Sequence, residues 1–291
     1  MKSVSLNLVK SENSDVDYKI TKFPDGQQDL TIISHFKIVE DVQVRIKSHL
    51  NSFQDLEIII CAAKALQQLK IKDIELYIPY LLGARSDRKF KNGGVNYLRD
   101  IISPIINSIG FSSVIVTDPH SDVSEAVLNN FRKEPNFLVA SWALDQILDI
   151  EGKDKLDDLY MIVPDAGALK KGYDLVGWIQ KRNNIGVPKF LPCSKHRDIA
   201  SGEILDTIVP KDKFNGETCF IVDDICSKGG TFKSLAKKLK SLGAGNIYLI
   251  VTHYEGTANP QELMESGITG VYTTNSICEV TNDFVKQLDI F

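Results

Sequence analysis

The sequence has no surplus of positive charge: 34 Lys and Arg stand against 38 Asp and Glu, a net charge of −4. Proteins dedicated to nucleic acid carry a basic face, so the balance argues against that class. It leaves room for a nucleotide, which needs only a local cluster. Cysteine is scarce, with Cys61, Cys193, Cys219, Cys226 and Cys278 forming no CxxC pair and no Cys/His set at zinc-ligand spacing. Odd in number and mostly within apolar stretches, they read as reduced thiols of a cytoplasmic protein. No apolar run approaches membrane-spanning length, and MKSVSLNLVKSENSD lacks the apolar core of a signal peptide. Neither a membrane nor a nucleic-acid partner is expected. The GxxxxGK[ST] spacing of a P-loop is missing, and no exact internal repeat is visible.

What is present is an ordinary soluble composition, 43% hydrophobic and 25% charged, over 291 residues, enough for two domains. Short β-type runs alternate with helical ones. DLTII (29–33), VQVRI (42–46), IELYIP (74–79) and SVIVTD (113–118) read as strands. So do LYMIVPD (159–165), CFIVDD (219–224), IYLIVTH (247–253) and VYTTN (271–275). Residues 53–69 set Leu56, Ile59, Ile60, Ala63, Leu66 and Leu69 on one helical stripe. Further helices are expected over 96–109, 171–182, 231–242 and 260–266. Apolar strands separated by helices imply an α/β protein with parallel sheets covered on both faces. The acidic stretch DIEGKDKLDD (149–158) is the expected boundary, giving domains 1–150 and 151–291. Ligands of such sheets collect at the carboxyl ends of strands, where the polar residues of this chain fall.

The most distinctive of these ends is FIVDDICSKGGTF (220–232). SKGGT directly before a helix offers backbone N–H groups and a positive helix end to an anion. Asp223 and Asp224 suit the hydroxyls of a sugar, or Mg²⁺ held through water. A sugar phosphate satisfies both halves, although the stretch alone also fits a solvated acidic turn.

Strand, paired aspartates and a small-residue loop ending in Gly-Thr resemble the phosphoribosyl-diphosphate signature of type I phosphoribosyltransferases. The N-terminal half adds a resemblance to the ribose-phosphate pyrophosphokinases that runs nearly end to end. FPDGQ (23–27) is similar to F-x-D-G-E, IPYLLGARSDRK (78–89) to P-Y-x-x-Y-A-R-Q-D-R-K, and DPHS (118–121) to D-L-H-A. PDAGALKK (164–171) resembles P-D-x-G-G-x-x-R, and VTHYEG with TTNSI resembles the closing T-H-G and T-N-T segments. The resemblance implies two tandem type I phosphoribosyltransferase-like domains, the first with ATP-binding segments and the second with the ribose-phosphate and catalytic loops.

It also implies roles. Phe23, Asp25 and Gln27 would hold adenine, often for a neighbouring subunit, in a homo-oligomer (dimer or hexamer). Arg85, Ser86, Asp87 and His120 would meet the phosphates of ATP, where planar Arg donors pair well. Asp118, His120 and Asp165 would be associated with Mg²⁺. LPCSKHRDIASGE (191–203) reads as a mobile loop bearing the catalytic pair Lys195 and Arg197. Asp223, Asp224, Ser227, Lys228, Gly229, Gly230 and Thr231 would hold the ribose phosphate. The implied reaction is attack of an anomeric hydroxyl on the β-phosphorus of ATP, with AMP leaving and cations stabilising the developing charge.

The chain departs from the family pattern D-D-x-x-D-T-A-G-T, replacing the third acid by Ser227 and the first threonine by Lys228. That local charge change of about +2, with a methyl lost at Gly229, raises an alternative acceptor: ADP-ribose, whose pyrophosphorylated product would feed NAD synthesis from nicotinamide. DVSEAV (122–127) replaces the family's small-residue aromatic stretch. A catalytically inactive regulatory homologue and a plain phosphoribosyltransferase are the remaining readings. Retention of Lys195, Arg197, His120 and Asp165 argues against the former, and the ATP-type segments against the latter.

Overall fold

The computed structural model describes residues 2–33, 42–89, 92–152, 154, 156–182, 186–197 and 204–291, with backbone alone for 2, 196, 197 and 204–206. The chain divides into two compact units, the first ending at Pro135 and including the last residue, Phe291, the second running Asn136–Ile290.

The first unit contains β1 (Lys2–Asn7), β2 (Tyr18–Lys22), β3 (Gln28–Ile32), β4 (Val42–Lys47), α1 (Phe53–Gln68), β5 (Asp73–Tyr77), α2 (Ser103–Ile109), β6 (Ser113–Thr117), α3 (Val123–Val127) and β7 (Phe131–Glu134). Five strands form a parallel sheet in the order β1-β4-β5-β6-β7, and β2 and β3 form an antiparallel hairpin. A capping box starts α1: the Ser52 hydroxyl accepts from the Asp55 N–H, and the Asp55 carboxylate accepts from the Ser52 N–H. The predicted helix over 96–109 is a π-helical turn, Leu98–Ile102, followed by α2.

Alternation along these strands sends Val44, Ile46, Ile74, Leu76, Val114 and Val116 into one core with Leu56, Ile59 and Ala63 of α1 and Ile106 of α2. The opposite face of this sheet carries polar pairs: Gln43 reaches Asp73 at 3.1 Å, Arg45 pairs with Glu75 at 2.8 Å, and Arg132 with Glu75 at 3.4 Å. Tyr77 and Ile115 lie on that same face and are buried, so it is covered as expected but mixed in character. Cross-strand ion pairs satisfy its charged part.

The second unit contains α4 (Phe137–Glu151), β8 (Tyr160–Val163), α5 (Leu169–Lys181), β9 (Lys189–Pro192), β10 (Ser194–Arg197), β11 (Ile204–Ile208), β12 (Cys219–Cys226), α6 (Gly230–Ser241), β13 (Ile247–Tyr254), α7 (Pro260–Glu265), β14 (Gly270–Thr274) and β15 (Val285–Leu288). Its six-stranded sheet, β15-β14-β13-β12-β8-β9, is parallel throughout. Both faces are apolar here. Ile221, Leu249 and Val271 meet α6 and α7 through Leu235, Leu239 and Leu263. Phe220, Val222 and Ile250 meet α4 and α5 through Leu144, Ile147 and Leu175.

The expected boundary at 150/151 cuts the last turn of α4, a helix the sequence reading left unassigned. Trp142 of α4 packs edge-on against Tyr272 of β14 at 5.6 Å. Glu151, its last residue, accepts hydrogen bonds from Tyr248, Asn246 and Thr218 at 2.6, 2.8 and 2.7 Å. These contacts bind α4 to the second sheet and move the division to 135/136. No described helix is long and apolar enough to cross a membrane, and the five cysteines form no disulfide.

Candidate active site

In the second unit the polar residues gather at the carboxyl edge of the central strands. Asp165 follows β8, and its carboxylate accepts from the N–H groups of Gly167 and Ala168 at 2.9 and 3.2 Å, shaping the turn into α5. Lys195 comes from β10. Its ammonium donates to Asp165 at 2.5 Å and to the Thr231 hydroxyl on α6 at 3.1 Å. One cation thus links the turn after β8 to the start of α6. Burial pushes the Asp165 carboxyl up, but Lys195 and the two backbone donors outweigh it and hold the group below its ordinary range.

The expected mobile loop 191–203 is partly a ribbon. Residues 194–197 pair antiparallel with 204–208, with a bulge between His196 and Arg197. Thr207 on β11 exchanges a hydrogen bond with Ser234 of α6 at 3.1 Å. A strand places Lys195 more firmly than a loop would. The Arg197 side chain and residues 198–203 lie outside the described residues.

Asp223 and Asp224 sit side by side in the last half of β12, on opposite faces of the sheet as strand alternation requires. Asp224 is buried, and Lys171 of α5 approaches it at 3.9 Å. The resemblance of PDAGALKK implied no role for Lys171. Asp223 lies on the side of Asp165. Burial, then the charge of Asp224, then that of Asp165 drive its carboxyl well above the ordinary range. A ligand bringing positive charge or hydroxyl donors relieves that cluster.

The loop beyond β12 turns into α6 at Gly229, the N-cap, whose φ of 73° is left-handed. A Cβ here would meet Leu263 Cδ2 at 2.9 Å and Ala258 Cβ at 3.6 Å. The missing methyl therefore makes room for the α7 side of the core. That corrects the expectation that Gly229 widens the ligand side of the loop. Lys228 and Gly230 are exposed at the helix start, and Ser227 is half-buried.

The closing segments named by resemblance also meet here. His253 Nδ1 and Ser276 Oγ are 2.8 Å apart, both residues buried, and Thr274 donates to the Thr252 carbonyl at 2.7 Å. These bonds tie the ends of β13 and β14.

In the first unit, Arg85, Arg88 and Lys89 stand exposed in the loop beyond β5, while Asp87 between them is buried. The Ser121 hydroxyl donates to Asp87 at 2.5 Å, and Asn96 donates to its carbonyl at 2.6 Å. Burial pushes the Asp87 carboxyl up, yet Ser121, Arg88 and the nearby His120 bring it below the ordinary range. Ser86 is half-buried, its carbonyl accepting from the Leu98 N–H at 3.3 Å. Asp118, at the end of β6, is buried in a left-handed conformation with φ 44°, and its N–H donates to Glu134. His120 is exposed.

Phe23, Asp25 and Gln27 sit apart from these loops, at the tip of the β2–β3 hairpin. Phe23 is 44% exposed, its N–H donates to the Gln27 carbonyl at 2.8 Å, and the Gln27 N–H donates to Asp25 at 3.1 Å. Among the described residues no three His, Cys, Asp or Glu side chains are grouped to hold a metal ion.

Two parallel-sheet units, each with polar loops at strand ends, define the class: an α/β protein whose second unit carries paired aspartates and a glycine loop at the start of a helix. No family model matches the chain. It is 27% identical over 290 residues to the ribose-phosphate pyrophosphokinase of Saccharolobus solfataricus, covering 99% of this chain and 91% of that protein. It is 27% identical over 262 residues to that of Pyrococcus abyssi, covering 90% and 85%. The structure matches phosphoribosylpyrophosphate synthetase from Mycobacterium smegmatis with a TM-score of 0.78 at 18% identity, covering 99% and 95%. The resemblance read from the motifs is borne out: over most of its length the chain is similar to the ribose-phosphate pyrophosphokinases, and its fold is that of the phosphoribosylpyrophosphate synthetase.

Proposed function

We propose that the protein transfers the β,γ-diphosphate of ATP to the anomeric hydroxyl of a ribose 5-phosphate acceptor, releasing AMP. The observation that carries this reading is Lys195, held at once to Asp165 and to Thr231 beside the SKGGT loop. A cation there lies next to the place where a sugar phosphate would dock, ready to neutralise charge on the transferring group. Arg197 on the same ribbon is its proposed partner. Asp223 and Asp224 receive ribose hydroxyls, and the N–H groups opening α6 receive the 5-phosphate. Arg85 and His120, exposed at the edge of the first sheet, receive phosphates of ATP.

Mg²⁺ suits this donor set. Such an ion keeps much of its water and takes one or two carboxylates with substrate phosphates, so single carboxylates in separate turns, such as Asp118 and Asp165, fit it without a protein cage. Asp118 with His120, and Asp165, are the proposed contacts; when bound, the ion neutralises phosphate charge. The exposed hairpin tip carrying Phe23, Asp25 and Gln27 suits an adenine site shared between copies in a homo-oligomer.

ADP-ribose remains a second acceptor because Lys228, where the family pattern has threonine, adds a cation at the exposed start of α6. With Gly229 facing Leu263, that reading rests on the charge of Lys228 and not on added room. The test is AMP release from ATP with ribose 5-phosphate and ADP-ribose in turn. AMP formed with either acceptor supports the transfer; none with both refutes it and leaves the inactive homologue.

A further inference from the structure

We infer that Ser121 is a positioning residue for the triphosphate grip: by holding Asp87 inside the fold, its hydroxyl sets the Arg85–Lys89 loop against the turn that carries His120. The inference rests on the reading that these exposed groups meet ATP. Ser121 stands where the pattern D-L-H-A has alanine, so the interaction belongs to this chain's own sequence.

Asp87 is only 4% exposed, although three cationic neighbours in its loop point to solvent. A carboxylate buried to that degree needs hydrogen-bond donors. Arg88 is a poor one: its Nε is 3.3 Å from Asp87 Oδ1, and its side chain is 72% exposed. Ser121 Oγ is 2.5 Å from Oδ2. The same oxygen accepts the Val123 N–H at 3.3 Å, which leaves its proton for the carboxylate. An ionised carboxylate only accepts, so the direction of the bond is fixed.

The main chain of the loop is pinned separately, Asn96 donating to the Asp87 carbonyl at 2.6 Å and Leu98 to that of Ser86 at 3.3 Å. Residues 96–98 thus hold the loop from one side, and Ser121 holds it from the other. Because His120 adjoins Ser121, one hydroxyl sets the spacing between the two groups that receive the phosphate chain. Without it the buried carboxylate loses its shortest bond and draws the loop toward another donor.

Steady-state kinetics on the full chain test this. Ser121→Ala is expected to raise KM for ATP about tenfold, equivalent to about 1.4 kcal/mol and consistent with loss of a hydrogen bond to a charged group. The value of kcat and KM for the sugar phosphate should stay within about twofold. Ser121→Thr keeps the hydroxyl and should retain the wild-type KM. Ser121→Cys keeps the volume with a weak donor and should follow alanine, which serves if the alanine variant does not fold. In an Asp87→Asn background, Ser121→Ala should cost no more than about twofold. An unchanged KM in both the alanine and cysteine variants, a threonine variant as impaired as alanine, or full additivity with Asp87→Asn overturns the inference alone. Wild-type protein that binds no ATP by calorimetry overturns the nucleotide reading, and this inference with it.

Discussion

Gly229→Ala isolates the backbone demand at the start of α6. The residue has φ 73° and ψ 8°, a left-handed conformation that costs an alanine about 1–2 kcal/mol. Its new Cβ would lie 2.9 Å from Leu263 Cδ2, well inside van der Waals contact. Leu263 is fully buried, so its side chain must shift within packed surroundings, and overpacking of this kind costs about 1–3 kcal/mol. The expected loss is about 2–5 kcal/mol. Trp142 and Trp178 both lie in the second unit, so urea unfolding followed by tryptophan fluorescence reports this part of the chain. Leu263→Ala supplies the control: against that background the steric part vanishes, and Gly229→Ala should cost only about 1–2 kcal/mol. A loss below about 0.5 kcal/mol, or the same loss in both backgrounds, refutes the reasoning.

Lys195→Ala should lower kcat about 10²–10³-fold in the AMP-release assay; retained activity removes the catalytic assignment. The same variant has a pH signature. The depressed carboxyl of Asp165 contributes stability above its unfolded pKa of about 3.9, lost as pH falls through the folded value. The stability gap between wild type and Lys195→Ala, read by urea titration, should therefore be widest at neutral pH and narrow below about pH 4. Lys228→Thr should shift acceptor preference from ADP-ribose toward ribose 5-phosphate if the added cation sets it, and an unchanged ratio counts against that acceptor. Ser52→Ala removes the capping box of α1 and should cost about 1 kcal/mol in chemical unfolding, without changing the nucleotide kinetics.

Helix α1 and the central strands of both sheets were legible in the sequence because their apolar periodicity is strong. The helical stripe on 53–69 meets an observed helix over Phe53–Gln68, and CFIVDD lies within β12. Helix α4 does carry a stripe, Val139, Ala140, Ala143, Leu144, Ile147 and Leu148, but two of its members are small alanines and its acidic end runs into DIEGKDKLDD, which reads as a boundary. What fixes α4 in the second unit is long-range: Glu151 reaching Thr218, Asn246 and Tyr248. The ion pairs on the second face of the first sheet were hidden for a related reason. Arg45, Glu75 and Arg132 are far apart in sequence, and only strand register makes them neighbours.

The site divides along the same line. Residue types that carry chemistry stand in short local motifs, so resemblance could name Asp165, Lys195 and the Asp223–Thr231 loop one by one. Resemblance could not supply what each touches. Lys195 bridging Asp165 and Thr231, Lys171 approaching Asp224, and Ser121 holding Asp87 are contacts between segments 30 or more residues apart. Gly229 shows the consequence most directly. From the motif alone, a methyl lost beside a phosphate loop reads as space for a larger substrate. The backbone angle and the distance to Leu263 turn that methyl toward the core. The specificity question then moves one residue back, to the charge of Lys228, where substitution can answer it.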